Sequence, residues 1–220
     1  MRAEGINVMN FGVGEPDFAT PQVIVDKAIE ALKAGKTKYR PAGGGPELRK
    51  AIAHKLQRDN NLEFDPAQIV CGIGAKEILF HIFLATLNEG DEVLIPAPYW
   101  VSYTAQVLAA GAVPVVIPMS DDLDAPLVTA DLLEKYATDK TRAVIINSPN
   151  NPAGNILDES ALTTIGNYLK AKKWWVVSDE IYEYMSFDAP HKSMLELCPE
   201  LADRFFVVNG MSKGCLLYTS

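Results

Sequence analysis

The chain has 220 residues, of which 48% are hydrophobic and 22% charged, a composition typical of a globular protein with a substantial core. Its 20 basic and 28 acidic residues give a formal net charge of -8. This balance argues against nucleic acid or an anionic membrane as the main partner, because both attract basic surfaces. A local basic pocket can still bind an anionic small molecule.

The cysteines indicate a reducing compartment. Cys71, Cys198 and Cys215 are odd in number and form no CxxC pair. With no signal peptide ahead of them, we expect reduced thiols in a cytoplasmic protein. The longest mostly apolar stretch, Ile78–Leu87, is too short to span a bilayer, so we expect no membrane partner.

In chain order, two helices come first and an alternation of strands and helices follows. Pro21 opens a helix that ends near Gly35, and Pro46 opens a second one. After them, continuous apolar runs are typical of strands buried on both faces, as in a mainly parallel sheet. The runs predicted as strands are Ile69–Ile73, Glu92–Ile95, Val113–Ile117, Ala143–Ile146, Trp174–Ser178 and Phe205–Val208.

Helical patterns separate these runs. They cover Lys76–Leu87, Tyr99–Ala110 before Gly111, and a segment for which Asp158 is the predicted N-cap. Alternating strands and helices predict an α/β fold with a mainly parallel sheet and helices on both faces. Because ligands bind at the carboxyl ends of parallel strands, the residues that follow each run are the candidates for chemistry.

The first run leads into the segment Cys71–Lys76 and then into a helix. The small residues of this segment allow a ligand to approach the backbone, and the free amides of a helix start suit a phosphate. The dinucleotide pattern GxGxxG fails, since Glu77 occupies the third glycine position. An ordinary tight turn remains the alternative to an anion site.

Aromatic and amide side chains follow the next strands. Trp100 could stack on a flat cofactor ring or pack in the core under a loop. The fourth run ends in Ser148–Gly154, where two prolines, two asparagines and a glycine predict a rigid turn. Such a turn would direct an Asn side chain at a ligand.

Asp179 and Lys213 follow the last two strands. A carboxylate after the apolar run Trp174–Ser178 is costly to bury unless a partner neutralises it. The three histidines show no metal-ligand spacing near it, so we expect no metal, and a protonated ring nitrogen is the other candidate. A lysine after a buried strand can act as a nucleophilic amine. Together these strand ends match what pyridoxal phosphate (PLP) requires of a protein.

The sequence resembles the class I and II aminotransferases, PLP enzymes of fold type I, and within them the bacterial aspartate aminotransferases. The similar segments follow the family's order from about Gly5 to Lys213. They are Gly14–Phe18, Gly35–Tyr39, Pro98–Tyr103, Asn147–Pro152, Ser178–Tyr182 and Ser212–Lys213. The resemblance implies the large PLP-binding domain of that fold, with three layers.

The resemblance also implies roles at the cofactor ring. Lys213 would bind PLP covalently and then serve as the base that moves the substrate's α-proton. Asp179 would pair with the ring nitrogen and keep it protonated. Tyr182 and Asn151 would hydrogen-bond the phenolic oxygen, and Trp100 would stack on the ring.

Other residues would bind the phosphate and the substrate. The backbone groups that would hold the phosphate are those of Gly74, Ala75 and Lys76. Tyr39 would reach the phosphate of the neighbouring subunit in a homodimer, and Gly210 would line the cofactor site. Gly14 and Asn151 would contact the substrate's α-carboxylate, and Trp100 would also border the substrate. Lys76 is a hypothetical partner for a distal carboxylate.

The resemblance breaks after Lys213. The family pattern requires an arginine there that Thr219 and Ser220 do not provide, and relatives continue with a small domain and one more strand. We therefore expect a fragment: residues 1–20 belong to the small domain, 21–214 form an incomplete large domain, and 215–220 form a departing tail. We expect this chain to be poorly stable and nearly inactive, and turnover at ordinary enzyme rates by the purified chain would contradict that.

The expected activity of the intact parent protein is PLP-dependent transamination between an amino acid, aspartate first, and a 2-oxo acid such as 2-oxoglutarate. Sister PLP enzymes remain open, such as a carbon–sulfur lyase or an aminocyclopropane-carboxylate-type synthase. A further alternative is an inactive PLP-binding remnant. A transcription regulator with an aminotransferase-like domain would need a basic DNA-binding module, which nothing before Gly12 could form.

Overall fold

The computed structural model describes residues 5–7, 14, 18–119, 126–187 and 189–214. Two segments singled out above, Glu15–Asp17 of the first motif and the tail 215–220, lie outside these described residues. So do most of residues 1–20, for which the small-domain assignment stays a prediction.

Five of the six predicted strands form one parallel sheet. Its order is β2-β1-β3-β4-β5, and every neighbouring pair runs parallel. The strands are β1 (Glu92–Pro96), β2 (Val113–Ile117), β3 (Thr141–Asn147), β4 (Trp175–Asp179) and β5 (Phe205–Val208). The chain leaves β1 towards β2 and returns on the other side with β3. The topological switch point of the sheet, where ligands bind in such folds, therefore lies between the carboxyl ends of β1 and β3.

Helices connect the strands. They are α1 (Gln22–Lys33), α2 (Pro46–Asn60), α3 (Ala75–Thr86), α4 (Ser102–Ala109), α5 (Ala130–Tyr136), α6 (Glu159–Lys170), α7 (Met194–Leu197) and α8 (Met211–Gly214). Local residues explain where several helices begin. Pro46 occupies the first turn of α2, and the side chains of Thr129 and Asp158 cap the N-termini of α5 and α6. The predicted Asp158 cap is confirmed, with its carboxylate accepting from Ala161 N at 2.7 Å.

The core lies in two layers, one on each face of the sheet. Alternate residues of a strand point to opposite faces, so Val144 and Ile146 pack with α6 whereas Ala143 and Ile145 pack with α3 and α4. This arrangement confirms the α/β class with helices on both faces. Within the described residues, no helix combines the length and the apolar character needed to cross a bilayer.

The prediction of a strand at Ile69–Ile73 is wrong. The backbone is extended at Ile69, and Cys71 N donates to Gly43 O at 3.1 Å, yet the segment joins no strand of the described sheet. A strand exists only as part of a ladder of hydrogen bonds with a neighbour, and an apolar run cannot reveal whether that neighbour is present. The segment still leads directly into α3, so the turn with the expected phosphate amides keeps its helix start.

Candidate active site at the carboxyl ends of the strands

Asp179 is the last residue of β4, and its carboxylate is buried, with 3% of the residue exposed. Tyr103 on α4 donates its hydroxyl to Asp179 Oδ2 at 2.6 Å, and Ile181 N donates to Oδ1 at 3.3 Å. Burial and the adjacent carboxylate raise the pKa of Tyr103 far above its usual range, so this hydroxyl remains a donor. Asp179 is predicted from the sequence, whereas Tyr103 is not, although Tyr103 follows Trp100 by three residues in the segment Pro98–Tyr103.

Burial raises the pKa of Asp179 to about 6, against the lowering influence of the Tyr103 and Ile181 hydrogen bonds. The carboxylate is therefore in an environment that opposes its charge. A cation against it would reverse this effect, because an opposite charge at contact distance favours the ionised form. The protonated ring nitrogen of PLP is such a cation, so the chemistry of this position fits the expected cofactor.

The raised pKa of Asp179 predicts a pH-dependent stability of the cofactor-free protein. An acid whose pKa is higher in the folded state stabilises the fold at low pH, and that contribution is lost as pH rises from about 4 to about 6. A shift from 3.8 to about 6 corresponds to about 3 kcal/mol. Urea unfolding of the full-length gene product at pH 4 and pH 7 measures this. The loss between the two pH values should be about 2 kcal/mol larger in wild type than in Asp179→Asn, because the unfolded aspartate is already partly ionised at pH 4. A difference below about 1 kcal/mol would contradict the assignment.

The substitution Tyr103→Phe should destabilise the cofactor-free protein by about 1–3 kcal/mol at pH 8, because Asp179 is then ionised and loses its strongest donor. Tyr168→Phe is the matched control, since that hydroxyl donates to the exposed carboxylate of Glu134 at 2.6 Å. We expect the control to cost under about 1 kcal/mol. Chemical unfolding of both variants tests this, and equal losses would argue against a special bond at Asp179.

The predicted rigid turn after β3 brings two asparagines to the same edge of the sheet. Asn151 Nδ2 donates to the Tyr182 hydroxyl at 3.2 Å, which joins two residues expected at the phenolic oxygen. Asn147, missed as a positioning residue, donates to Asp179 O at 2.9 Å and accepts from Asn151 N at 2.8 Å. Asn147 thus ties the turn to the end of β4, with which it is in register.

Lys213 lies on α8, just after β5. Its Nζ donates to Gly14 O at 2.6 Å and lies 5.9 Å from the centre of the Tyr182 ring. The turn between β5 and α8 lies close to the turn after β4, since a Cβ on Gly210 would meet Ile181 Cδ1 at 2.9 Å. The structure therefore brings Lys213, Gly14 and Tyr182 together and packs Gly210 beside them.

The turn before α3 presents open amides. The first helical hydrogen bond runs from Ile78 N to Gly74 O at 3.4 Å, so the amides of Ala75 and Lys76 have no acceptor within the helix. Gly74 has φ +85°, a conformation that favours glycine, and space lies where its Cβ would be. Such a helix start suits a phosphate.

Trp100 connects this turn to Asp179. Lys76 Nζ lies 5.0 Å from the centre of the Trp100 ring, and the ring meets Tyr103 edge-on at 5.6 Å between centroids. The buried Gln106 of α4 donates to Lys76 O at 2.6 Å, which holds the start of α3 against α4. Gln106 gives no recognisable sequence signal, because it is one polar residue among the apolar positions of a helix.

Tyr39 is the expected site residue that the structure keeps apart. It lies between α1 and α2 with its side chain fully exposed. Helix α1 buries none of its residues. Within the described part of the chain, no three His, Cys, Asp or Glu side chains are grouped so as to hold a metal ion.

The chain is similar to known proteins over nearly its whole length. The family model described as aminotransferase class I and II matches residues 6–219. The chain is 47% identical over 215 residues to an aspartate aminotransferase of Bacillus sp. (strain YM-2), covering 97% of this chain and 55% of the relative. A probable aspartate/prephenate aminotransferase of Aquifex aeolicus is 46% identical, covering 97% of this chain and 54% of the relative.

Among solved structures, the aspartate aminotransferase from Rhizobium meliloti matches with a TM-score of 0.94 and 38% identity. The match covers 99% of this chain and 55% of that one. The chain thus spans about half the length of the curated relatives and solved structures cited here.

Proposed function

The chain belongs to the class I and II aminotransferases, whose cofactor is pyridoxal phosphate, and from this premise we propose a function for the full-length gene product. It transfers the amino group between an amino acid, aspartate first, and a 2-oxo acid such as 2-oxoglutarate. The observation that carries the proposal is the buried carboxylate of Asp179, which lies one strand away from the lysine that follows β5.

The residues around Asp179 would hold the cofactor. Asp179 would bind the protonated ring nitrogen, with Tyr103 keeping the carboxylate oriented by its 2.6 Å hydrogen bond. Asn151 and Tyr182, already joined at 3.2 Å, would bind the phenolic oxygen. Trp100 would cover one face of the ring. These are donor and acceptor types that match the polar groups of PLP.

The phosphate would lie at the start of α3. Its ligands would be the amides of Gly74, Ala75 and Lys76, held in place by the bond between Gln106 and Lys76 O.

Lys213 would carry out the proton transfer. When bound, the cofactor supplies an electron sink that stabilises negative charge at the substrate's α-carbon. Lys213 Nζ, which here donates to Gly14 O, would take the α-proton as a neutral amine and return it at another position. Because Gly14 is beside this amine, the same neighbourhood would bind the substrate's α-carboxylate, together with Asn151.

The preference for aspartate is supported by the activity of the aspartate aminotransferases to which the chain is similar and by the exposed Lys76. Its amine lies over the Trp100 ring, 5.0 Å from the ring centre, where it could meet a second substrate carboxylate. Unchanged aspartate kinetics in Lys76→Ala would count against that role.

A homodimer in the cytoplasm is part of the proposal. The fully exposed Tyr39 and the helix α1 without buried residues both suit contact with a second subunit, where Tyr39 would reach the partner's phosphate. Mixing Tyr39→Ala with Lys213→Ala should restore part of the activity, because a mixed dimer has one complete site.

A cytoplasmic location is supported by Cys71 and Cys198, which are free thiols.

The activity is tested with the purified full-length gene product and PLP. We expect absorbance changes on PLP binding and formation of glutamate from aspartate and 2-oxoglutarate. PLP binding with release of ammonia or a thiol instead of amino-group transfer would favour a sister lyase on the same fold. Absence of PLP binding would overturn the proposal.

A further inference from the structure

Glu180 follows Asp179 directly and is almost completely buried, with 1% of the residue exposed. Its backbone N donates to Val208 O at 2.8 Å, so the pairing of β4 with β5 continues one residue beyond the strand. Successive residues of extended backbone point to opposite faces. The side chain of Asp179 meets Tyr103 of α4, whereas that of Glu180 meets the segment that leads into α7.

Three side chains satisfy this second carboxylate. Glu180 Oε1 accepts hydrogen bonds from Ser178 Oγ and Ser193 Oγ, each at 2.8 Å. Glu180 Oε2 lies 3.0 Å from His191 Nε2. The side chains of Glu180 and His191 are 2% and 6% exposed, so water contributes little to their solvation. A buried carboxylate is tolerated because partners of this kind replace its hydration.

The geometry opposes rotation of the strand end. Ser178 lies on β4 itself, while Ser193 and His191 lie on the segment before α7, so the carboxylate joins two parts of the chain. A turn of the backbone at Asp179 would carry Glu180 out of these contacts. The resulting unpaired buried charge would cost more than the lost contacts themselves.

We propose that Glu180, together with Ser178, Ser193 and His191, is a positioning residue that holds Asp179 in the orientation required for the cofactor ring. The inference rests on the proposed function, because PLP is the ligand that reports on Asp179. Glu180 does not touch the ring position; it acts through the backbone that it shares with Asp179.

The variant Glu180→Gln distinguishes the positioning role of Glu180 from the effect of its negative charge. Burial is the main cause of the raised pKa of Asp179, and the negative charge of Glu180 adds to it. In Glu180→Gln the side-chain oxygen can still accept from both serines, while this repulsion is removed. Positioning should therefore survive in Glu180→Gln and fail in Glu180→Ala.

The experiment titrates PLP into the cofactor-free, full-length gene product and follows the absorbance of the bound cofactor. We expect Glu180→Ala to weaken the Kd for PLP about tenfold or more and to shift the absorbance maximum at neutral pH. Glu180→Gln should bind PLP with the wild-type Kd, and Ser193→Ala should weaken binding about threefold. Leu195→Ala is the matched control: it creates a cavity in α7, lowers stability and should leave the Kd and the spectrum unchanged.

Several outcomes overturn the inference. Wild-type binding by Glu180→Ala would do so, as would equal losses in Glu180→Gln and Glu180→Ala. Equal weakening by Leu195→Ala would mean that Glu180 only supports the fold. If Glu180→Ala does not fold, Ser193→Ala decides, and unchanged binding in that variant overturns the inference. Failure of the wild-type protein to bind PLP would instead overturn the proposed function.

Discussion

Lys213→Ala should lower the kcat for transamination by the full-length gene product at least about a thousandfold, because one amine serves as both covalent attachment point and proton-transfer base. The amine lies beside Gly14 O and above the Tyr182 ring, where the proposed site meets its substrate. A coupled assay of glutamate formation from aspartate and 2-oxoglutarate measures the loss. Borohydride reduction should attach PLP to wild type but not to Lys213→Ala, which mass spectrometry detects.

Lys170→Ala is the control for that experiment. Lys170 pairs with Glu200 at 2.9 Å on the surface, away from the carboxyl ends of the strands where the candidate site lies. Removing the Lys170 amine should leave kcat unchanged. A Lys213→Ala protein that keeps more than about a tenth of wild-type activity would contradict the assigned role.

Asp179→Asn should lower kcat/KM by about two-hundredfold to several-thousandfold, since breaking a buried ion pair by removing one partner costs about 3–5 kcal/mol. The buried carboxylate is the charge that would keep the ring nitrogen protonated, and an amide of similar shape cannot replace that charge. PLP titration of the full-length gene product measures the loss of cofactor affinity, and steady-state kinetics measures the loss of kcat. We expect both PLP affinity and kcat to fall.

Asp203→Asn is the corresponding control, because Asp203 is an exposed aspartate that precedes β5. Its kinetics should equal those of wild type. If Asp179→Asn reacts as fast as this control, Asp179 is not the partner of the ring nitrogen and the site would need another carboxylate.

Much of the framework could be predicted because its signals are local. Val113–Ile117 and Phe205–Val208 are strands with the predicted bounds, since a short continuous apolar run favours a strand of a parallel sheet, although Val113 and Val116 on the edge strand β2 are exposed. Asp179 could be identified because it directly follows such a run, where a carboxylate is costly to bury without a partner. Lys213 could be identified because it lies five positions after the last run, at the carboxyl end of the final strand.

Contacts between distant parts of the chain left no such signal. Tyr103 and Asp179 are 76 positions apart, and their hydrogen bond depends on α4 packing over the end of β4. Asn147 carries no local signal of its role, and it is the register of β3 with β4 that brings it beside Asp179. Glu180 carries no local signal of its role either, yet it is buried among residues that follow it by up to 13 positions.

The apolar segment Ile69–Ile73 is the converse case, in which a local pattern predicts a strand that the tertiary structure does not form. Its apolar and β-branched residues favour a strand, but a strand also needs a neighbour, and the described sheet offers none. The sequence by itself determined the fold class and five of the strands, because periodicity acts within a few residues, and it singled out Asp179 and Lys213 as candidates for chemistry. Only the tertiary structure decided which strands pair, which hydroxyl meets which carboxylate and how Glu180 is held, because those contacts depend on strand order and register.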